Sequence, residues 1–257
     1  MDLNLNEKII IVTGGAKGIG EGIVKALASE NAIPVIVGRK EADNLKILES
    51  IGNKGFQVVA ELTKPDECEN AVKKIVEKFN RIDGLVNNAG VNDGVGLENG
   101  NYEKFVASLH KNLVHYYLMA HFALPYLKQS KGAIVNIGSK TAETGQGNTS
   151  AYAASNGGRN ALTREWAVEL LPYSIRVNAV IVAECYTPLY NTWIKTFENS
   201  EEKLKLITEK IPFEKRMTTS EEIANMVVFL LSDRSSHTTG QLIHVDGGYV
   251  HLDRAIS

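Results

Sequence analysis

The stretch SAYAASNGGRNALTREWA (150–167) carries a tyrosine, Tyr152, and an amide, Asn156, four residues apart. If the stretch is helical, that spacing puts both side chains on one face, about 5–6 Å apart. A phenol beside a reactive hydroxyl can move a proton, yet its ordinary pKa of about 10 makes it a weak base near neutrality. A cation one turn away would lower that value by roughly 1–3 units. Asn156 can donate a hydrogen bond but brings no charge. Arg159 is seven residues past Tyr152, two helical turns up and roughly 10 Å along, which reads as too far to substitute directly.

A second stretch, TGGAKGIG (13–20), has glycines at 14, 18 and 20. Glycines let the backbone turn tightly and bring N–H groups and a helix N-terminus to a pyrophosphate. The spacing is GxxxGxG rather than GxGxxG, and such turns also arise for packing alone. A dinucleotide is the ligand this loop predicts, because it follows the first strand and opens the first helix. The next strand ends VGRK (37–40), where a carboxylate would accept bonds from an adenine ribose. Gly38 offers none, Arg39 follows it, and Lys17 lies in the loop. Two cations at one ribose edge predict NADP in preference to NAD. Arg39 stacked on adenine or facing water is the other reading, and it leaves NAD possible.

These stretches need elements to position them. KIIIVT (8–13), IPVIVG (33–38), GFQVVA (55–60), IDGLVNN (82–88), GAIVNIG (132–138), SIRVNAVIV (174–182) and GQLIHVDG (240–247) read as strands buried on both faces. Helical patterns cover 19–30, 65–79, 102–129, 152–171 and 220–232, the last started by Ser220 ahead of two glutamates. The alternation predicts an α/β fold with a doubly wound parallel sheet. One domain over 1–257 is expected, with the irregular segment 183–218 as a lid. The chain has 257 residues, 44% hydrophobic and 23% charged, and a net charge of -2. That balance gives no basic field for nucleic acid or a membrane surface. No apolar run spans a bilayer and MDLNLNEKIIIVTGG does not read as a signal peptide, so a cytoplasmic protein is expected. Cys68 and Cys185 are too few for a disulfide framework or a cysteine metal site.

With TGGAKGIG, NNAG (87–90), Ser139, Tyr152, VNAV (177–180), Thr187-Pro188 and VDGG (245–248) in order, the whole chain resembles the short-chain dehydrogenase/reductase family. The resemblance implies a Rossmann-type domain of seven parallel strands that moves a hydride between a nicotinamide and an alcohol or carbonyl. It implies a homotetramer or homodimer. By position, Tyr152 would be the acid/base, Ser139 would bind the substrate oxygen and Asn112 would fix a structural water. Thr187 would hold the nicotinamide carboxamide, and Asn88, Ala89 and Gly90 would line the adenosine side. Gly14, Lys17, Gly18, Ile19, Gly20, Arg39, Glu61, Leu62, Tyr152, Asn156 and Val182 complete the implied cofactor-binding set. RIDGLVNNAGVNDGVGLE, SKTAETGQGNTSAY, AECYTPLY and HTTGQLIHVDGGYVHLDRA are similar to the bacterial L-fucose dehydrogenase group, which oxidises the anomeric carbon of an aldose to a lactone. Two positions depart. Val182-Ala183 replaces the usual Pro-Gly, and Asn156 stands where the family has a lysine that binds ribose and lowers the tyrosine pKa. An active but slower enzyme with an alkaline pH optimum is expected, faster when lysine is restored at 156.

A polar pocket is expected from Asn92, Asp93, Lys140, Glu143, Gln146, Asn148, Glu184, Tyr190 and Trp193 at the carboxyl ends of the strands. Hydroxyl-directed donors and acceptors with an aromatic face suit a sugar. Glu184 is either a sugar contact or a cap for the following helix. Lys140 is either a pocket cation or an exposed loop lysine. His110, His115 and His121 do not share one helix face, and His237, His244 and His251 lack a carboxylate cluster, so no metal site is expected. Cys185 reads as a small buried residue, and the tail GGYVHLDRAIS packs on a neighbour or closes its own domain. Two other functions stand beside the sugar dehydrogenase: a silent cofactor-binding homologue marked by Asn156, and a reductase of another small polar carbonyl compound or a 3-oxoacyl thioester.

Overall fold

The structure is a computed structural model that describes residues 2–253. In chain order its elements are β1 (Ile9–Thr13), α1 (Gly18–Ser29), β2 (Ile33–Gly38), α2 (Glu41–Ser50), β3 (Phe56–Val59), α3 (Pro65–Phe79), β4 (Gly84–Asn87), α4 (Tyr102–Leu109), α5 (His115–Ser130), β5 (Ala133–Ser139), α6 (Ser150–Glu169), β6 (Arg176–Val182), α7 (Pro188–Ile194), α8 (Ser200–Thr208), α9 (Ser220–Leu231) and β7 (Leu242–Val245). All seven strands pair in parallel in the order β3-β2-β1-β4-β5-β6-β7. The order reverses between β1 and β4, which opens a crevice at their carboxyl ends.

β1, β4 and the body of β5 are buried along their length. Ile11, Val35, Leu85 and Ile134 face one apolar layer, where Ile75, Tyr116, Met119 and Trp166 from α3, α5 and α6 close over them. Ile10, Val12, Val86 and Val135 face the other, covered by Ile23, Val24 and Leu27 of α1 and by Ile223 and Val227 of α9. Burying a leucine or isoleucine side chain contributes roughly 1.5–3 kcal/mol, so these two layers are the main stabilising feature of the fold.

The sequence pattern misses α2, whose EADNLKILES buries only Asn44, Ile47 and Leu48 and so has a thin apolar stripe. Strand ends are shorter than expected, most of all at 240–247, where only Leu242–Val245 pairs. The helix starting near 220 is capped by Thr219, not Ser220: the Thr219 hydroxyl accepts from Glu222 N, and Glu222 Oε2 accepts from Thr219 N. The helix expected over 102–129 is interrupted by a π-turn at His110–Val114. There Asn112 turns its amide back to the Ser108 carbonyl, 3.0 Å, and its own backbone carbonyl accepts Arg159 Nε at 2.6 Å. The expected lid, 183–218, contains α7 and α8.

Candidate active site

The glycine loop sits between β1 and α1 at the crevice. A Cβ on Gly20 would lie 2.2 Å from the Gly14 carbonyl oxygen, so the loop closes only with glycine at 20. Asn88 Nδ2 donates to the Thr13 and Gly14 carbonyls at 2.9 and 3.2 Å, and Thr13 Oγ1 accepts from the N–H groups of Asn88 and Ala89. This ties the β4 exit to the loop. No side chain caps the first turn of α1, whose N–H groups therefore remain available to a pyrophosphate. Gly18 backs onto Thr187 at the start of α7, and Ile19 packs against the second apolar layer. The loop fits the dinucleotide that the sequence implies.

At the ribose edge both expected cations have acidic partners. Lys17 Nζ is 2.7 Å from Asp43 Oδ2, and Arg39 Nη1 is 3.6 Å from Glu61 Oε2. The Lys17 hydrogen bond holds the Asp43 carboxyl below its usual range, helped by Lys40 and Lys46. Asp43 escaped the sequence reading because α2 did. Glu61 Oε1 accepts from Thr63, while Leu62 is buried with its carbonyl accepting from Cys68 Sγ.

α6 positions Tyr152 and Asn156 on one face, as expected. Asn156 is fully buried, its Nδ2 donates to the Tyr152 carbonyl at 2.9 Å, and its Oδ1 accepts from Arg159 Nη1 at 3.0 Å. The distance assigned to Arg159 from helical rise is therefore wrong. The long side chain folds back along α6, and its guanidinium carbon stands 5.9 Å from the Tyr152 ring centroid and 4.3 Å from that of Tyr116. Its other partners are the Asn112 and Ile137 carbonyls. The backbone carbonyl of Asn112, the residue that the resemblance implies would fix a water, accepts from Arg159. Gly90 makes room: a Cβ there would meet Arg159 Nη2 at 2.8 Å and Asn112 Oδ1 at 3.0 Å. Asn112 Oδ1 also accepts from Val91 N at 2.8 Å, which joins the π-turn to the loop after β4. Burial lowers the His115 imidazole to about 4 and raises the Tyr116 phenol to about 12.

Ser139 ends β5 in register with Val182 at the end of β6. Its Oγ accepts from Thr141 N and Oγ1 at 3.3 and 3.1 Å, which leaves its own hydrogen for an outside acceptor. Lys140, next in the chain, is buried and ion-paired with Glu184, and its ammonium lies 4.0 Å from the Tyr249 ring centroid. Lys140 is thus no loop lysine, and Glu184 caps no helix, because Thr187 Oγ1 caps α7 by accepting from Tyr190 N. Burial, then the Glu184 charge, raises the Tyr190 phenol far above its ordinary value. Tyr190, Trp193 and Phe197 follow one another edge to face along α7 and just beyond it, with centroids 5.1 Å apart at each step.

The other expected pocket residues have these surroundings. Asp93 is engaged by Ser108 and Lys111. Asn92 accepts from Gly94 N in its own turn, and Gln146 and Asn148 lie exposed in the loop before α6. Glu143 lies 3.2 Å from His244 Nε2, and with His251 these groups bring three possible ligand atoms within 4.8 Å of one another. The expectation that His244 and His251 lack a carboxylate is corrected: Glu143 comes from a loop a hundred residues earlier in the chain. Cys185 is buried and its thiol is raised to about 11, so it is unreactive near neutrality. The end of the tail, 254–257, lies outside the described residues. Among the described residues no helix is long and apolar enough to cross a membrane.

Comparison with known proteins agrees with this geometry. The family described as "Enoyl-(Acyl carrier protein) reductase" matches residues 14–250. A 3-oxoacyl-(acyl-carrier-protein) reductase, FabG, of Thermotoga maritima is 36% identical, covering 96% of this chain and all of that protein. L-fucose dehydrogenase of Bos taurus is 31% identical over 94% of this chain and 88% of its own length. Among solved structures, the Cj0485 dehydrogenase is 47% identical with a TM-score of 0.95, covering 99% of this chain and 98% of that one. The Thermoplasma acidophilum aldohexose dehydrogenase is 28% identical with a TM-score of 0.88, covering 98% of each. By sheet order and by these matches, the chain belongs to the short-chain dehydrogenase/reductase family of oxidoreductases, which act on CH–OH groups with a nicotinamide cofactor.

Proposed function

We propose that this chain is an aldose 1-dehydrogenase of the L-fucose type, preferring NADP and accepting NAD. The observation that carries the reading is the buried Lys140–Glu184 pair under Tyr249, immediately after Ser139. An ammonium and a carboxylate side by side can bind the vicinal hydroxyls of a sugar, one donating and the other accepting. An apolar substrate tail would strand both charges. The names of the L-fucose and aldohexose dehydrogenase relatives support a sugar.

A bound nicotinamide supplies the hydride acceptor, and Gly14 to Gly20, Asn88, Ala89, Gly90, Val182 and Thr187 are the residues that would hold it. Ser139 Oγ donates to the substrate oxygen, and Tyr152 Oη takes the hydroxyl proton as the anomeric carbon is oxidised. Asn156 fixes the α6 backbone at Tyr152. Thr187 seats α7, so that the segment 183–218 closes over the sugar and keeps out water. Exposed Leu97, Tyr102 and Phe105, on and before α4, offer an apolar face for a homotetramer or homodimer.

The Thermotoga relative favours a second reading, reduction of a 3-oxoacyl thioester. A panel of aldoses and 3-oxoacyl thioesters, with both coenzymes at neutral and alkaline pH, separates the readings. The expected result is a kcat/KM for L-fucose or a close aldose at least about 100-fold above that for any thioester. Faster thioester reduction would install the second reading. Coenzyme binding without turnover of any substrate at any pH would make the chain a silent homologue.

A further inference from the structure

Among the described residues, Arg159 is a buried cation with no acidic partner. The residue is 3% exposed, and every partner of its guanidinium is an uncharged oxygen: the Asn112 carbonyl at 2.6 Å, the Ile137 carbonyl at 3.1 Å, Asn156 Oδ1 at 3.0 Å and Asn112 Oδ1 at 3.5 Å. A charge buried without a counter-charge is expensive, and neutral donors could stitch α6 to β5 and the π-turn at lower cost. Such a cation stabilises negative charge that forms beside it. The nearest group on which the proposed reaction forms negative charge is the Tyr152 phenol, whose ring centroid is 5.9 Å away.

We propose that Arg159 is the positioning cation of this active site, supplying through Asn156 and across the Tyr152 ring the positive charge that the family's lysine would bring. The inference rests on the proposed role of Tyr152 as the proton acceptor. It also gives Asn156 a reason: an amide at 156 turns an acceptor oxygen to the guanidinium, whereas an ammonium there would repel it. Gly90 belongs to the same arrangement, because it leaves the space that the guanidinium fills.

The other ionisable groups around Tyr152 leave this role to Arg159. At the start of α5, His115 and Tyr116 are both neutral, because burial lowers the first to about 4 and raises the second to about 12. Lys140, after β5, is neutralised by Glu184, and Tyr190 of α7 is kept protonated by burial beside that carboxylate. Lys111 pairs with Asp93 before α4. Glu143 engages His244 and Asn160, and Tyr249 covers Lys140.

The experiment measures aldose turnover across pH for the unsubstituted protein, Arg159→Gln, Arg159→Lys, Asn156→Lys and the double variant Asn156→Lys/Arg159→Gln. Arg159→Gln is expected to lower kcat at neutral pH by about 10–100-fold and to move the rising limb of the profile up by about 1 pH unit. Arg159→Lys keeps the limb in place. Asn156→Lys raises kcat about 10-fold in the Arg159→Gln background; beside Arg159 it brings no increase, in contrast to the gain that the family's lysine alone would lead one to expect. A second readout uses coenzyme-free protein with carbon-13 at tyrosine Cζ, the Tyr152 resonance being assigned by its loss in Tyr152→Phe. That resonance is expected to titrate at higher pH in Arg159→Gln than in the unsubstituted protein. An unmoved limb and resonance, or an equal effect of Asn156→Lys in both backgrounds, would reduce Arg159 to a structural pin. Should Arg159→Gln not fold, the double variant decides: a folded protein with the limb restored supports the role, and a folded but inactive one overturns it. If Tyr152→Phe turns over normally, the proposed function itself fails. If Tyr152→Phe is dead while Arg159→Gln keeps its limb, only the role of Arg159 fails.

Discussion

The reach of one side chain brings a buried cation to the ring of Tyr152. Tyr152, Ser139, Asn112 and Asn156 could all be named as candidates from residue type and order, because each sits on a recognisable stretch. Arg159 could not, because counting helical rise treats a side chain as a point on the axis. An arginine side chain extends far enough to return along its own helix, and only packing decides whether it does. The glycine at 90 was a local hint, read as part of a family motif rather than as space for a neighbour. Gly90→Ala is expected to push the guanidinium from its seat, since the new Cβ would lie 2.8 Å from Nη2. Steady-state kinetics and a thermal melt check it: kcat should fall at least about 10-fold, the loss of one aligned charge-assisted contact, and the fold should persist. Wild-type kcat in a folded Gly90→Ala protein would remove the steric link between Gly90 and Arg159.

At the scale of elements, strands were legible because parallel strands buried on both faces read as continuous apolar runs. The helices were read where a broad stripe marked them. α2 was missed because few of its residues are buried, and the break at 110–114 was missed because its contact with Arg159 joins residues 47 positions apart, which no local pattern shows. The π-turn has its own consequence for stability. His115 follows it, 1% exposed, with its imidazole lowered from 6.5 to about 4 by burial first and by Arg159 second. The unfolded chain binds the extra proton between those values. The stability of the neutral ring is therefore complete above the unfolded value near 6.5 and is lost as pH falls toward 4. Urea unfolding at pH 7 and pH 5 is expected to differ by about 2 kcal/mol from this group, and His115→Gln should flatten that difference. An equal pH dependence in both proteins would show that His115 is not the titrating group.

On the scale of the whole molecule, the strand order puts the glycine loop and the β4 exit at one switch point, while Ser139 and Val182 end neighbouring strands of the same sheet. The architecture was legible from strand–helix alternation, whereas contacts between distant loops were not: Glu143 with His244, Lys17 with Asp43 and Arg39 with Glu61 each cross elements that no local pattern joins. With carboxylates facing both ribose-side cations, the proposed NADP preference depends on Arg39 turning from Glu61 to a 2′-phosphate. Arg39→Asp is expected to lower kcat/KM for NADP at least about 10-fold relative to NAD, and an unchanged ratio would exclude Arg39 as the discriminating residue. In the proposed oxidation of an aldose the Tyr152 phenol carries the proton. The most direct test of this role is the rate of coenzyme reduction with L-fucose, compared between the unsubstituted protein and Tyr152→Phe at equal coenzyme saturation. A fall of about 100- to 10,000-fold is the result this account predicts. Undiminished reduction by the phenylalanine variant would contradict it.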